Sequence, residues 1–488
     1  MSPKPEVYHD ESLVSSQRES RMQAALLEDN PRPLRKSFLK LYLCIFVGYL
    51  CSATNGFDSN TFGGLTAISS FTDYFGIDTN NQGLVAALYV IGNIAGSFVA
   101  GPCADTYGRK VGMALGSAVC IVGAILQAAG QNLHMLMAGR VILGAGVAVV
   151  QAAGPSYVVE MSYPKYRGQL TGGFQACFFL GTIVSTFLEY GLSFAKDAGS
   201  LVWRLPLAVQ GLPSVIVLLF VWLIPESPRW YVAQGQIDKA RDILIRYHGD
   251  GDPSSKVAEL ELEEMQEVIS LEGSDKRFWD FRELFNSREA RHRTFLVTCI
   301  AWFGQLDLPP TSYYFPLMDA YYDGRRAMWL AVHPPFRPSQ AADVVERRHD
   351  HAGKPVVGGT SIAFLYVFLV VFAFAWTPMQ ALYPSEVLAY NSRAKGLAYT
   401  NLMLNAVNVI NTYVPPIAIA HSGWRYYILY IVWDAFGVLV IYLTFVETKG
   451  WSLEEIDHLF RSKHPVRESL KGRRDERPQM GVDGGKAV

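Results

Sequence analysis

Two charged residues, Asp58 and Arg140, lie inside long apolar stretches of the chain. A charge near the centre of a bilayer costs about 2.5–3.5 kcal/mol on insertion scales, so a residue of this kind is expected to have a function. If the two stretches cross a membrane in opposite directions, both side chains fall in the outer half and can pair. An acid paired with Arg stays charged, and weakening the pair lets it take up a proton. The pair is therefore a candidate functional site, and the alternative is a static ion pair that holds two helices together.

Four amide side chains near the end of the chain repeat at spacings of four, three and three residues: Asn401, Asn405, Asn408 and Asn411. This spacing puts them on one face of a helix. An amide both donates and accepts hydrogen bonds, and a polar stripe facing lipid would be costly. We expect the stripe to face a cavity or another helix. Glu189 and Asp434 are further acids in apolar stretches, and we interpret both as structural.

The composition indicates which elements position these residues. Of 488 residues, 50% are hydrophobic and 18% are charged, against about 25% charged in a soluble domain. The deficit predicts an all-α integral membrane protein. A net charge of −1 excludes a nucleic-acid binder driven by a basic surface, and six cysteines in this length exclude a disulfide scaffold.

A membrane-spanning helix needs about 20 mostly apolar residues. Ten stretches qualify, near 38–58, 82–103, 111–129, 133–154, 170–192, 203–224, 294–318, 358–383, 396–419 and 425–446. The longest polar insert, near 230–293, reads as an amphipathic linker. We expect its acidic run to be a solvated helix face: Glu259, Glu261, Glu263, Glu264 and Glu267.

Basic residues predict the orientation of the spans. Arg32, Arg35, Lys36 and Lys40 precede the first span, and the tail after residue 447 is also basic. Because cytosolic loops carry an excess of Lys and Arg, both termini and the linker are predicted to be cytosolic. Residues 1–36 lack the apolar core of a signal peptide, so the first span is expected to remain in the mature protein. We expect a multi-pass protein of the plasma membrane.

The two halves of the chain repeat the same charged signals at the ends of their helices. Glu160 precedes Arg167 by seven residues, and Glu386 precedes Arg393 by seven. The next such acids are Glu226 and Glu447. Two-fold helical repeats with a binding site between them are typical of secondary transporters.

Several of these residues also carry a family resemblance. Residues 101–110 read GPCADTYGRK, residues 225–230 read PESPRW, and residues 447–450 read ETKG. The run from Gly139 to Gly168 contains Pro155, Glu160 and Arg167. Together these motifs resemble the sugar porter family of the major facilitator superfamily, over about 38–318 and 358–460. The segments WTPMQALYP at 376–384 and RAKG at 393–396 are most similar to its fungal lactose-permease-like branch.

The resemblance implies two pseudo-repeat helical bundles that work by alternating access. It implies that Asp58 and Arg140 form the proton-coupling pair. It also implies a set of substrate-binding residues: Gln175, Gln305, Tyr313, Tyr314, Trp376, Asn401, Asn405 and Asn408. For Gln175 the alternative is an interhelical hydrogen bond, and for Trp376 it is ordinary packing.

A further set of charges at helix ends is expected to form a cytosolic gate whose ion pairs break and reform between two states. The set is Asp105, Arg109, Glu160, Arg167, Glu226 and Arg229 in the first half, and Glu386, Arg393 and Glu447 in the second. The alternative is that these pairs only anchor the ends of helices.

The chain departs from the family pattern between its seventh and tenth spans. The family has twelve spans against the ten found here, and only 12 residues separate Tyr313 from Arg325. We interpret family helices 8 and 9 as missing or replaced by a polar segment rich in Pro, Arg and His. One explanation is a mis-assigned intron or reading frame, and the other is a genuine ten-span protein.

The predicted organisation therefore has five parts. They are a cytosolic tail at 1–36, a six-helix bundle at 37–229, a cytosolic linker with helices at 230–293, a truncated bundle at 294–447 with an aberrant polar segment at 319–357, and a cytosolic tail at 448–488.

We predict a transporter for a mono- or disaccharide, working by proton symport. The alternatives are a facilitative uniporter, a non-transporting sugar sensor, and a defective transporter that lacks two helices. No enzyme signature is evident, and the ten histidines lack the spacing of a metal site. We expect no cofactor beyond the proton gradient, no metal and no nucleic acid, with sugar and the lipid bilayer as partners of a monomeric chain.

Overall fold

The computed structural model describes the greater part of the chain. The described residues are 21–28 except 23, 33, 35–66, 68–194, 199–272, 281–306, 383–388 except 385, 393–422, 426–448, 456, 459–462 and 464–469. They divide into two compact units, the first before Lys276 and the second after Arg277. All regular elements within these residues are helices.

The first unit begins with eight helices of its apolar bundle. They are α1 (Lys36–Leu65), α2 (Ser69–Phe75), α3 (Thr79–Tyr107), α4 (Arg109–Ala128), α5 (Leu133–Met161), α6 (Arg167–Ser193), α7 (Leu201–Val209) and α8 (Leu212–Phe220). A 3-10 turn at Pro164–Tyr166 precedes α6, and another at Val221–Leu223 follows α8.

Local sequence signals determine where these helices begin and end. Asp78 caps α3 by accepting a hydrogen bond from the backbone of Asn81, whose side chain accepts one from the backbone of Asp78 in return. The side chain of Asn132 caps α5 by accepting a hydrogen bond from the backbone N–H of Met135. Gly76 ends α2 with φ of 64°, a left-handed conformation that glycine adopts without a steric penalty. The turns between spans are therefore short and fixed by their own side chains.

Six helical segments of the described residues are long and apolar enough to cross a membrane. They are Lys36–Leu65, Asn81–Tyr107, Arg109–Ala128, Leu133–Met161, Pro164–Leu192 and Leu201–Leu223. They coincide with the first six predicted spans. Large apolar side chains of α6 face outward, among them Phe179, Ile183 and Phe187. An apolar surface of this extent is expected of helices that contact lipid.

Helices α1 and α6 pack with their backbones in close contact. A Cβ atom on Gly56 would overlap the carbonyl oxygen of Phe178, and one on Gly181 would overlap that of Ala53. Small residues at such crossings are the usual means by which membrane helices approach closely. Away from the charged network described below, the bundle is closed by an apolar cluster that includes Phe62, Phe71 and Trp203.

The helices of the predicted linker belong to the first unit. They are α9 (Pro228–Ala233), α10 (Ile237–Tyr247) and α11 (Lys256–Glu272), which pack together around a small core of Val232, Leu244, Leu262 and their neighbours. Helix α10 also contacts α1. The linker helices are thus a layer on one end of the bundle.

The second unit contains a 3-10 turn at Phe281–Leu284 and the helices α12 (Arg288–Leu306), α13 (Arg393–Ser422) and α14 (Tyr426–Thr444). Its apolar cluster includes Leu296, Tyr383, Val446 and Phe460. These helices cover the described parts of the predicted spans near 294–318, 396–419 and 425–446. The span near 358–383 and the polar segment 319–357 lie outside the described residues, apart from Tyr383.

The contact between α1 and α6 predicts a steric penalty at Gly181. Replacing Gly181 with Ala is expected to destabilise the protein by about 1–3 kcal/mol, because the added methyl group would displace the backbone of α1. The measurement is the thermal unfolding midpoint of the purified protein in detergent. Gly191→Ala, on the same helix with open space around it, is the matched control and should not lower the midpoint. Equal midpoints for the two variants would contradict this prediction.

Candidate functional site

Asp58 lies on α1 in the interior of the first unit and is fully buried. Neither of its carboxylate oxygens accepts a hydrogen bond from the described residues. A buried ionised carboxylate without a partner is costly, so its surroundings suit an acid that changes its protonation state.

Arg140 lies on α5 and is 4% exposed. Its guanidinium lies over the rings of Phe62, at 4.4 Å, and Tyr89, at 5.1 Å, and it contacts the carbonyl oxygen of Ala86 at 3.5 Å. The structure thus brings Asp58 and Arg140 into the same bundle, but no hydrogen bond joins them. The two aromatic faces stabilise the Arg140 cation in the apolar interior.

The charges at the opposite end of the same bundle form a dense network. The guanidinium of Arg109 donates two hydrogen bonds to Glu160, each 3.0 Å long, and forms an ion pair with Asp105 at 3.2 Å. The hydroxyl of Ser227 donates to Glu160. A two-pronged contact between guanidinium and carboxylate is among the stronger and more specific polar interactions in proteins.

Glu226 completes this network through the backbone. Its carboxylate accepts hydrogen bonds from the N–H groups of Arg109, Lys110 and Ser227, at 3.0, 3.1 and 2.9 Å. Burial raises the pKa of Glu226, and these hydrogen bonds partly offset the effect. The carboxylate therefore caps the start of α4, where unpaired N–H groups favour a negative charge.

Gly108 makes room for this cap. Its φ is 98°, and a Cβ atom there would clash with the carboxylate of Glu226. The turn between α3 and α4 therefore requires glycine for both its backbone conformation and the space it leaves.

Two other charges of the predicted gate, Arg167 and Arg229, do not join this network. Arg167 forms an ion pair with Glu261 of α11, at 3.7 Å. Arg229 makes no ion pair or hydrogen bond with another residue of the described part. Arg109 contacts both oxygens of the Glu160 carboxylate.

Glu261 corrects the prediction that the acidic run is a solvated face. Its side chain is 1% exposed and contacts the Nδ1 atom of His248, while the Nε2 atom of His248 lies 3.2 Å from the carbonyl oxygen of Met161. Both ring nitrogens thus face acceptors, and only the doubly protonated imidazolium donates to both. The amphipathic pattern showed that α11 has a buried side, but neither residue stood out from it in the sequence.

In the second unit, the predicted gate residues lie near the ends of the helices. Glu386 lies just before α13, Arg393 opens α13 with its side chain outside the described residues, and the backbone N–H of Glu447 donates to Ser469 at 3.3 Å. A pair that the spacing did not predict, Lys395 with Glu283 at 3.1 Å, ties the start of α13 to the 3-10 turn.

The predicted substrate-binding residues are described only in part. Gln175 lies on α6, but its side chain is outside the part that the structure describes. Tyr313, Tyr314 and Trp376 lie outside the described residues altogether. Gln305 lies in the last turn of α12, and Asn401, Asn405 and Asn408 follow one face of α13. Asn405 donates to the carbonyl of Asn401, and Asn408 accepts from Thr412.

Asn411, the last member of the stripe, serves as a tie between helices. Its amide nitrogen donates to the carbonyl oxygen of Gln305 at 2.8 Å, and its amide oxygen accepts from the hydroxyl of Tyr430 at 3.3 Å. The side chain is 3% exposed. One end of the stripe is thus used for packing among α12, α13 and α14.

The sequence matches the family model described as "Sugar (and other) transporter" over residues 44–315 and 339–460. The chain belongs to this family. The match omits 316–338, a range that overlaps the polar segment of the sequence analysis. Membership confirms the predicted resemblance to the sugar porters of the major facilitator superfamily, whose members are transporters and not enzymes.

Individual relatives agree with this assignment over most of their length. The chain is 28% identical to the MFS-type transporter criB of Aspergillus cristatus, over 85% of this chain and 92% of that protein. It is 26% identical to a high-affinity glucose transporter of Kluyveromyces lactis, over 88% of this chain and 87% of that protein. It is also 26% identical to the MFS glucose transporter mfs1 of Aspergillus flavus, over 92% of this chain and 96% of that protein.

Solved structures agree on the fold. The inward-open xylose transporter XylE from E. coli superposes with a TM-score of 0.66 at 20% identity, covering 86% of this chain and 99% of that one. The proton:xylose symporter XylE bound to 6-bromo-6-deoxy-D-glucose gives a TM-score of 0.63 at 19% identity, with the same coverage. The chain is a multi-pass membrane transporter with the all-α major facilitator fold.

The His248 contacts predict that the docking of α11 depends on pH. Burial alone would lower the pKa of His248, but the charge of Glu261 and the hydrogen bonds to Glu261 and Met161 outweigh it and raise the pKa, against an opposing effect of Arg167. The ring of Tyr163 also packs on the imidazole. A raised pKa gives stability that is complete below the ordinary histidine pKa of about 6.5 and is lost as the pH rises through the raised value.

The measurement is hydrogen exchange of α11 backbone amides, corrected for intrinsic rates, on either side of the histidine range. Protection should be lower on the alkaline side in the unmodified protein. His248→Gln, which carries no titrating group, is expected to remove the difference. Protection that changes equally with pH in both proteins would contradict the role of His248.

Proposed function

We propose that this chain carries a sugar across the membrane together with a proton, by alternating access. The observation that carries the proposal is Asp58, a fully buried acid whose oxygens accept no hydrogen bond from the described residues, in the same bundle as the buried cation Arg140. Gain and loss of a proton at Asp58 would change the balance of charge inside the bundle and so favour one state over the other.

The names of relatives support a sugar as the substrate. Two of the fungal relatives are named as glucose transporters, and the structural neighbour XylE is named as a proton:xylose symporter. We propose a hexose or pentose among the sugars carried. The amides of the α13 stripe would hydrogen-bond sugar hydroxyls.

The end of the first unit that holds Arg109, Glu160 and Glu226 is proposed to be the cytosolic end, with both termini on that side of the plasma membrane. Basic residues concentrated at this end support the assignment. The ion pairs there would close the cytosolic side of each transporter molecule, which we propose acts as a monomer and requires no cofactor.

A second candidate is a chain that binds sugar but does not complete the transport cycle. The observation that favours it is the interruption of the family match at 316–338, which overlaps the segment where two spans are predicted to be missing. Helices that lose neighbours in a bilayer leave polar groups without partners.

Replacing Asp58 with Asn should abolish sugar accumulation driven by a pH gradient, while exchange of labelled for unlabelled sugar persists. The neutral amide cannot bind and release the coupling proton. The measurement is glucose and xylose uptake into proteoliposomes, with and without an uncoupler. Asp73→Asn, an exposed acid on α2, is the matched control and should accumulate sugar normally.

The outcomes separate the candidates. Accumulation that survives in Asp58→Asn rejects the coupling role of Asp58. Exchange without accumulation in the unmodified protein indicates a uniporter. Saturable sugar binding without either exchange or accumulation supports the second candidate.

A further inference from the structure

A row of buried hydroxyl groups lies between α1 and α6. Thr61 and Ser185 are both fully buried, and their hydroxyl oxygens are 3.0 Å apart. The hydroxyl of Ser185 also donates to the Oε1 atom of Glu189, at 3.1 Å. These three side chains form a continuous hydrogen-bonded chain across the contact between the two helices.

The row runs towards Asp58 at one end. Thr61 follows Asp58 by three residues on α1, which places the two side chains side by side on the helix. Both carboxylate oxygens of Asp58 are buried and unpartnered among the described residues. The hydroxyl of Thr61 can also donate to the carbonyl of Phe57, at 2.8 Å, so it has two orientations available.

The other end of the row is Glu189, near the end of α6 and away from the charged network of Arg109 and Glu160. The side chain of Glu189 is partly exposed, unlike those of Thr61 and Ser185. Gly64 of α1 has no side chain, and a Cβ there would overlap the Glu189 carboxylate. The helix contact therefore leaves space for the carboxylate of Glu189 beside α1.

A neighbouring amide holds the row in place. Asn60 donates to the hydroxyl oxygens of Ser185, at 3.4 Å, and Thr186, at 3.0 Å. With Asn60 donating to it, the Ser185 hydroxyl keeps its own proton for Glu189 or Thr61. This is the arrangement that a relay needs, because a hydroxyl can accept one proton while it releases another.

We propose that Glu189 takes up the transported proton and that Ser185 and Thr61 pass it to Asp58. This inference rests on the proposed proton coupling. The Ser185 hydroxyl, which donates to Glu189 in the structure, first turns to donate to Thr61. Ionised Glu189 then gains a proton from a hydronium ion, which becomes water, and gives it to the Ser185 oxygen. The Ser185 proton moves to the Thr61 oxygen, and the Thr61 proton moves to the Asp58 carboxylate. Each hydroxyl ends with one proton, Glu189 is again ionised and Asp58 is neutral, so atoms and charge balance. A rotation of the Thr61 side chain from Phe57 towards Asp58 completes the last step.

The test follows protonation of Asp58 directly, so it does not require transport. The purified full chain in liposomes is acidified by rapid mixing, and the infrared carboxyl band of protonated Asp58 is recorded over time. The band is identified by its loss in Asp58→Asn. Ser185→Ala, Thr61→Val and Glu189→Gln are each expected to slow the rise of the band about tenfold, a change of ~1.4 kcal/mol in the barrier.

Two controls separate a relay from a structural role. Ser97→Ala removes an exposed hydroxyl on α3 that donates to the carbonyl of Asn93, outside the row, and should leave the rate unchanged. Thr61→Ser keeps the hydroxyl and should restore the rate lost in Thr61→Val. A rate that is the same in the three relay variants as in Ser97→Ala overturns the relay while leaving the coupling role of Asp58 intact. A carboxyl band that does not depend on Asp58 at any pH overturns both.

Discussion

A charge or polar group inside an apolar helical bundle must find its partners within the protein, because lipid offers none. In the first unit, polar groups at different positions along the bundle meet this constraint in different ways. At one end, Arg109, Glu160 and Glu226 satisfy one another and the backbone. Nearer the other end, Arg140 rests on aromatic rings and Asp58 has no hydrogen-bond partner among the described residues. A buried acid of this kind can gain a proton or a partner in another conformation, so its surroundings suit a molecule that moves between states.

The close approach of α1 and α6 follows from the same constraint. Hydrophobic burial adds little between helices surrounded by lipid, so packing and hydrogen bonds must hold them together. Glycines at the crossing bring the backbones near enough for Thr182 to donate to the carbonyl of Gly56 and for Thr61 to reach Ser185. The glycines at this crossing thus determine both the stability of the helix pair and the position of the polar row within it.

The fold was predictable because apolar stretches of the required length are distinct from the polar turns between them. The six spans of the first unit and their order follow from that pattern, and short motifs led to the family. Side-chain partners were harder to predict. Arg167 and Arg109 are both among the charges predicted at helix ends, but the sequence did not indicate that Arg109 binds Glu160 and that Arg167 pairs with Glu261 of α11. The contact between His248 and Glu261 was missed because burial of a charged pair depends on how α10 and α11 dock. Hydrophobic periodicity indicates which side of a helix is buried, but not which residues of another helix that side contacts.

The cap formed by Glu226 has a mechanical consequence. One carboxylate accepts three backbone N–H groups, two at the start of α4 and one at the turn before α9. Any movement that separates these two chain segments must break the bonds from Arg109 and Lys110, whereas the bond from Ser227, the residue next to Glu226, can remain. Partial separation would forfeit the hydrogen bonds before water could replace them. The junction should therefore be either closed or open. The two segments at this end of the bundle should separate only above a threshold force, and not gradually as the force increases.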